Sequence, residues 1–158
     1  MIVKLNLLQL STVDQYKKEF CRLSKKKLAI DNIPLIIFPE DFEHACYEYL
    51  ERGVYKGKFS RKRARRLPVI EQIINKEIPS QIIFQTNRKK KTVAFVSETA
   101  ECCLIVLPAT NNGRNFFRFV TIIAFGKGIE SGPKKIYQSG KKIKRSALKS
   151  VFPKEKES

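Results

Sequence analysis

Between Gln81 and Phe125 the chain consists of four β-like runs joined by connections short enough to be hairpin turns. The runs are "QIIFQT" (81–86), "KTVAFVSE" (91–98), "CCLIVLP" (102–108) and "NFFRFVTIIAF" (115–125), rich in β-branched and aromatic residues. Between them lie "NRKK", "TAE" and "ATNNGR", and the last holds Asn-Gly, a strong two-residue hairpin signal. Consecutive strands so closely linked pair antiparallel, so this half specifies a four-stranded antiparallel meander.

The first half has a different period. In "STVDQYKKEFCRLSKKK" (11–27), Val13, Tyr16, Phe20 and Leu23 recur at steps of three and four, which gives a helix with one apolar stripe. Ser11 or Thr12 suits its cap and Asp14 its first turn. "IPLIIF" (33–38) reads as a short strand, and Pro39 then opens a second helix with Glu40 and Asp41 in its first turn. Phe42, Ala45, Cys46 and Tyr49 form its apolar side. His44 and Glu48, four residues apart, share a row off that side. "GVYKGKF" (53–59) reads as a turn-rich connection. "SRKRARRLPVIEQIIN" (60–75) reads as a short helix, a break at Leu67 and Pro68, and a second helix that packs Leu67, Ile70, Ile73 and Ile74 on the core.

Helices followed by strands argue for an α+β domain, its N-terminal helices packed on one face of the four-stranded antiparallel sheet. The domain is expected over residues 1–126, with the helical part over about 11–75 and the sheet over about 81–125. Residues 127–158, lysine-rich and poor in large apolar groups, are expected to form a basic, partly flexible tail. The opening "MIVKLNLLQL" is interrupted by Asn6 and Gln9 and reads as part of the fold, not as a leader.

The chain carries 32 Lys and Arg against 15 Asp and Glu, a formal charge of +17. A field of that sign draws in polyanions, and nucleic acid is the first candidate because each neutralised phosphate releases counterions. No stretch has the length and apolarity of a membrane span, and no basic amphipathic helix with a broad apolar face suggests a membrane surface. Cys21, Cys46, Cys102 and Cys103 lack metal-site spacing, and Cys102 and Cys103 point to opposite faces of an apolar run. Free thiols fit a reducing cytoplasm, and neither a metal nor another cofactor is expected.

RNA can be cut without a metal when its own 2′-hydroxyl attacks the next phosphate. That reaction needs a base, an acid, and groups that hold the phosphate oxygens as charge builds. His44, the only histidine, has the intrinsic pKa for proton transfer, and Glu48 can orient it or act as partner base. Arg61, Arg63, Arg65, Arg66 and Arg118 are candidates to hold phosphate, and Lys134, Lys135, Lys141 and Lys142 to track a backbone. Thr121 and Arg118 fall on opposite faces of a regularly alternating strand. Phe116, Phe117 and Phe119 are better read as core than as base-stacking platforms.

"FEHACYE", "FSRKRARRLPVIEQII" and "FVTIIAF" together resemble the phage-linked branch of the barnase–EndoU–colicin–RelE-like ribonucleases. The resemblance spans about residues 33–125 and is most specific over 59–70, although Val69 stands where that branch tends to an aromatic. It implies helices on a four-stranded antiparallel sheet and metal-independent RNA cleavage to a 2′,3′-cyclic phosphate. It also implies a toxin or effector setting in bacterial or phage conflict, with an acidic antitoxin or immunity protein as a further partner. Carried over by position, it points to His44, Arg63 and Thr121, with Glu48 beside them. The charge fits equally a non-catalytic RNA-binding or ribosome-associated module, or a domain docking an acidic protein.

Overall fold

The computed structural model describes residues 4–50, 55–87, 89–125 and 131–153. Helix α1 (Val13–Ser24) begins with a capping box. Thr12 accepts from the Gln15 backbone N–H, and the Gln15 side chain accepts from the backbone N–H of Thr12. Tyr16, Phe20 and Leu23 are its buried stripe, as the spacing requires. Strands β1 (Leu28–Ile30) and β2 (Ile33–Ile36) follow, joined by Asp31 and Asn32 at φ 49° and 70°. Two consecutive positive φ values make a tight hairpin turn matched to strand twist, and Asp and Asn tolerate them.

A 3-10 turn (Pro39–Asp41) leads into helix α2 (Phe42–Cys46), which stops after five residues. Tyr47 is extended (φ −114°, ψ 141°) and begins strand β3 (Tyr47–Leu50), paired antiparallel with β4 (Tyr55–Phe59). The expected helical row of His44 and Glu48 is therefore broken, because Glu48 sits in a strand. The expected turn-rich connection is in large part β4. "YEYL" has two aromatics in four residues, and cross-strand packing of Tyr47 on Phe59 (ring centroids 5.6 Å apart) outweighs helix propensity. Helices α3 (Arg61–Ala64) and α4 (Val69–Ile74) are separated by residues 65–68, a stretch that includes the expected break at Leu67 and Pro68.

Strands β5 (Gln81–Gln85), β6 (Thr92–Ser97), β7 (Cys102–Asn111) and β8 (Arg114–Ala124) form the expected meander. Asn112 and Gly113, both at positive φ, close the β7–β8 hairpin. The sheet is not four-stranded and antiparallel, however. It has seven strands in the order β1-β2-β8-β7-β6-β5-β9, and β2 joins β8 in parallel. Strand β9 (Lys141–Ile143) comes from the expected tail, as does helix α5 (Ser131–Gln138). The tail's reach onto β5 depends on Gly140, where any side chain would collide with the Phe84 carbonyl. A 3-10 turn (Arg145–Ser150) then puts Leu148 and Val151 into the main core. Arg145 clamps it to the β1–β2 hairpin through Asp31 (Nε to Oδ2, 3.0 Å) and to the end of the 69–74 helix through the Ile74 carbonyl (3.2 Å).

Both sheet faces are therefore buried over β5–β7. One packs against α1, α2 and α4 through Phe95, Leu104, Phe117, Phe119 and Ile122. The other packs Ile83, Val96, Cys103 and Ile105 beneath Ile136 of α5. Burial on both faces explains why β6 reads as a continuous apolar run. Cys102 and Cys103 do fall on opposite faces. No helix among the described residues is long and apolar enough to cross a membrane.

Candidate functional site

A five-residue helix leaves nearly all of its carbonyls without helical partners. At α2 the fold supplies those partners from elsewhere. Thr121 Oγ1 donates to the His44 carbonyl (2.7 Å), the Ser60 N–H to that of Cys46 (2.7 Å), and Arg63 Nη1 to that of Tyr47 (3.4 Å). Ser60 also caps α3, accepting from the Arg63 N–H at 3.3 Å. Two residues singled out from the sequence, Arg63 and Thr121, thus hold the stretch that carries the third, His44. Beneath it, Phe42 packs against Phe20, Tyr47 and Phe59, with ring centroids 5.7–6.3 Å apart. The imidazole is exposed on this buried, pinned base.

Strand β8 is bulged next to Thr121. Thr121 lies opposite Ile105 and Phe119 opposite Val106, so Val120 is an extra residue in β8. Strict alternation would put Thr121 and Arg118 on opposite faces. The bulge resets the alternation, and the register now assigns both to the face away from Phe117, Phe119 and Ile122. Arg118 lies 3.8 Å from Asp41 Oδ1, and its guanidinium carbon sits 4.9 Å above the Phe38 ring.

Asp41 is the group that sequence reasoning missed as part of the site. It is 8% exposed, three residues before His44, and its Oδ2 is buried with no hydrogen-bond partner among the described residues. Burial pushes its carboxyl above the usual carboxylate range, opposed by the positive charges of Arg118 and His44. The i, i+3 spacing from Asp41 to His44 was the available signal, overshadowed by the i, i+4 spacing to Glu48. Glu48 is exposed in β3.

The remaining cations divide. Arg61 donates to the carbonyls of Leu10 and Ser11 (both 3.0 Å), and Arg66 to those of Ala100 and Lys62 (both 2.8 Å). These guanidinium forks hold the N-terminal segment and the 99–101 turn to α3. Arg65 is partly buried, with Nε lacking a partner among the described residues. Lys134, Lys135, Lys141 and Lys142 are exposed, but β9 is four strands from β8 in the sheet, about 19 Å at usual strand spacing. The structure therefore separates Lys141 and Lys142 from His44. Burial pushes the Cys46 and Cys102 thiols up to about 12, so both are packing groups and not nucleophiles. Compared with known protein families, curated proteins and solved structures, the chain finds no match.

Proposed function

We propose that this chain is a metal-independent endoribonuclease whose reaction centre is His44, with Asp41, Arg118 and Arg63 around it. The observation that carries the reading is the placement of the lone, exposed imidazole. It rides on a short helix pinned by Thr121, Ser60 and Arg63, one turn from a buried carboxylate that is itself beside Arg118. The resemblance to the phage-linked barnase–EndoU–colicin–RelE-like branch supports it at His44, Arg63 and Thr121. Thr121 then acts as a positioning residue, since its hydroxyl donates to the backbone of residue 44.

In this reading His44 takes the 2′-hydroxyl proton or delivers one to the departing 5′-oxygen. The 2′-O–P bond forms, the P–O5′ bond breaks, and a 2′,3′-cyclic phosphate remains. Arg118 faces the non-bridging oxygens, where preorganised positive charge stabilises the transition state. Positive charge over the whole molecule speeds RNA capture. A toxin or effector role, with an acidic antitoxin or immunity protein covering the site, belongs to the same proposal. The test is incubation of labelled RNA with the pure protein in EDTA, followed by end-group analysis. Cyclic phosphate ends are expected, and intact RNA would overturn the proposal.

A second reading is RNA binding without cleavage. It is favoured by the break after Cys46, which removes Glu48 from the His44 helix and leaves the buried Asp41 as the neighbouring carboxylate. Under that reading, RNA survives in EDTA while binding persists with a steep salt dependence.

A further inference from the structure

Where the β5–β6 hairpin meets the C-terminal turn, a cavity of about 640 Å³ opens. Its lining includes Phe84, Pro108 and Phe152, and Lys89, Lys90 and Lys91 complete it from the hairpin. Its volume lies within the range of small-ligand pockets. Phe84 and Phe152 are half-buried, and all three lysines are exposed. Phe152 rests on Phe117 beneath it, with ring centroids 4.9 Å apart. The register adds a fourth cation, since Lys141 lies opposite Phe84 and cross-strand partners share a face. Among the described residues, no acidic side chain lines the cavity.

A basic groove elsewhere makes a useful contrast. Along α1, a cavity of about 510 Å³ is lined by Lys17, Lys18, Arg22 and Lys25, but also by Asp14 and, among the described residues, by no aromatic ring. Charge alone would serve any polyanion at either place. Rings set among lysines select a ligand with flat, stackable groups on a phosphate backbone.

We propose that the Lys89–Lys91, Lys141 and Phe152 pocket is a binding site for single-stranded RNA, one base against Phe152 and the flanking phosphates on the lysines. None of Asp41, His44, Arg63, Arg118 and Thr121 is among the residues lining the pocket, so it is a site separate from His44. It rests on the reading of this protein as RNA-binding, not on cleavage.

The experiment titrates a fluorescent single-stranded RNA, about ten nucleotides long, against the full chain across a salt series. Three variants are compared with wild type. The first is Lys89→Glu, Lys90→Glu, Lys91→Glu. The second is the charge-matched Lys17→Glu, Lys18→Glu, Lys25→Glu. The third is Phe152→Leu, which keeps apolar packing on Phe117. The hairpin reversal is expected to lower affinity at least tenfold more than the α1 reversal, and to reduce the log–log salt slope by about 2. Phe152→Leu is expected to cost about fivefold or more, at an unchanged melting temperature. Equal losses from the two reversals would overturn the pocket while leaving RNA binding intact. Failure of wild type to bind RNA at low salt would overturn both the pocket and the broader reading. Poly-glutamate binding that matches RNA and ignores Phe152→Leu would make the pocket an acidic-peptide surface and also overturn the assignment.

Discussion

Arg61–Arg66 and Lys89–Lys91 look alike as sequence, yet the fold uses them differently. Arg61 and Arg66 turn their guanidinium forks onto four backbone carbonyls, tying the N-terminal segment and the 99–101 turn to α3. The lysines stand exposed at the rim of a cavity that also holds Phe84 and Phe152. The difference follows from side-chain chemistry. A planar, weakly hydrated fork can satisfy two carbonyls at once, whereas an ammonium is a strongly hydrated point charge on a flexible stem. A basic run thus reports the type of charge available, not whether it faces a ligand.

Gly140→Ala gives the largest expected effect, because it removes the close approach that seats the lysine side of this contrast. The added methyl meets the Phe84 carbonyl, so β9 must shift off β5 and carry Lys141 with it. Stability should fall by about 1–3 kcal/mol in urea denaturation, as for other overpacking changes, and RNA affinity should fall with it. An unchanged urea midpoint would mean that β9 does not rest on β5 as described.

Arg66→Ala should separate the two basic runs. It removes donors to the carbonyls of Ala100 and Lys62, and its loss should cost about 1–3 kcal/mol, with RNA affinity held within about twofold. The contrast breaks if stability holds and RNA binding drops. Lys90→Ala should do the reverse. Stability should stay within about 0.5 kcal/mol, and the log–log salt slope of RNA binding should fall by about 0.7.

The smallest effect is expected at Asp41, which burial holds above the ordinary carboxylate pKa. A carboxyl with a raised folded-state pKa binds its proton more tightly when folded. Its contribution therefore grows as pH falls through that pKa and is complete below the unfolded value. Melting curves from neutral pH down to the ordinary carboxylate range should show wild type gaining relative to Asp41→Asn. A gain in the opposite sense would contradict the buried, poorly compensated carboxylate.

Much of the sheet was legible because its signals are local. The Asn112-Gly113 turn, the Pro68 break and the α1 stripe each follow from a few neighbouring residues. Asp31-Asn32 carries the same kind of hairpin signal for β1 and β2, but the preceding lysines and a three-residue strand hid it. The rest depends on contacts distant in sequence. Strand β9 needs Gly140 against Phe84, and the end of α2 needs Tyr47 on Phe59. The extra residue Val120 leaves no compositional mark, yet it decides that Thr121 and Arg118 share a face. At the site, His44, Arg63 and Thr121 could be named from sequence, and the structure gathers them around one short stretch. Asp41 and the displacement of Glu48 could not, because both turn on where α2 ends.

The decisive measurement is RNA cleavage and RNA binding by wild type and His44→Ala, in parallel and in EDTA. Wild type should release 2′,3′-cyclic phosphate ends, and His44→Ala should bind with the same affinity while cutting at least 100-fold more slowly, the scale of a lost general acid or base. Equal cutting by both proteins, or binding by both with no cutting by either, would contradict His44 as the reaction centre.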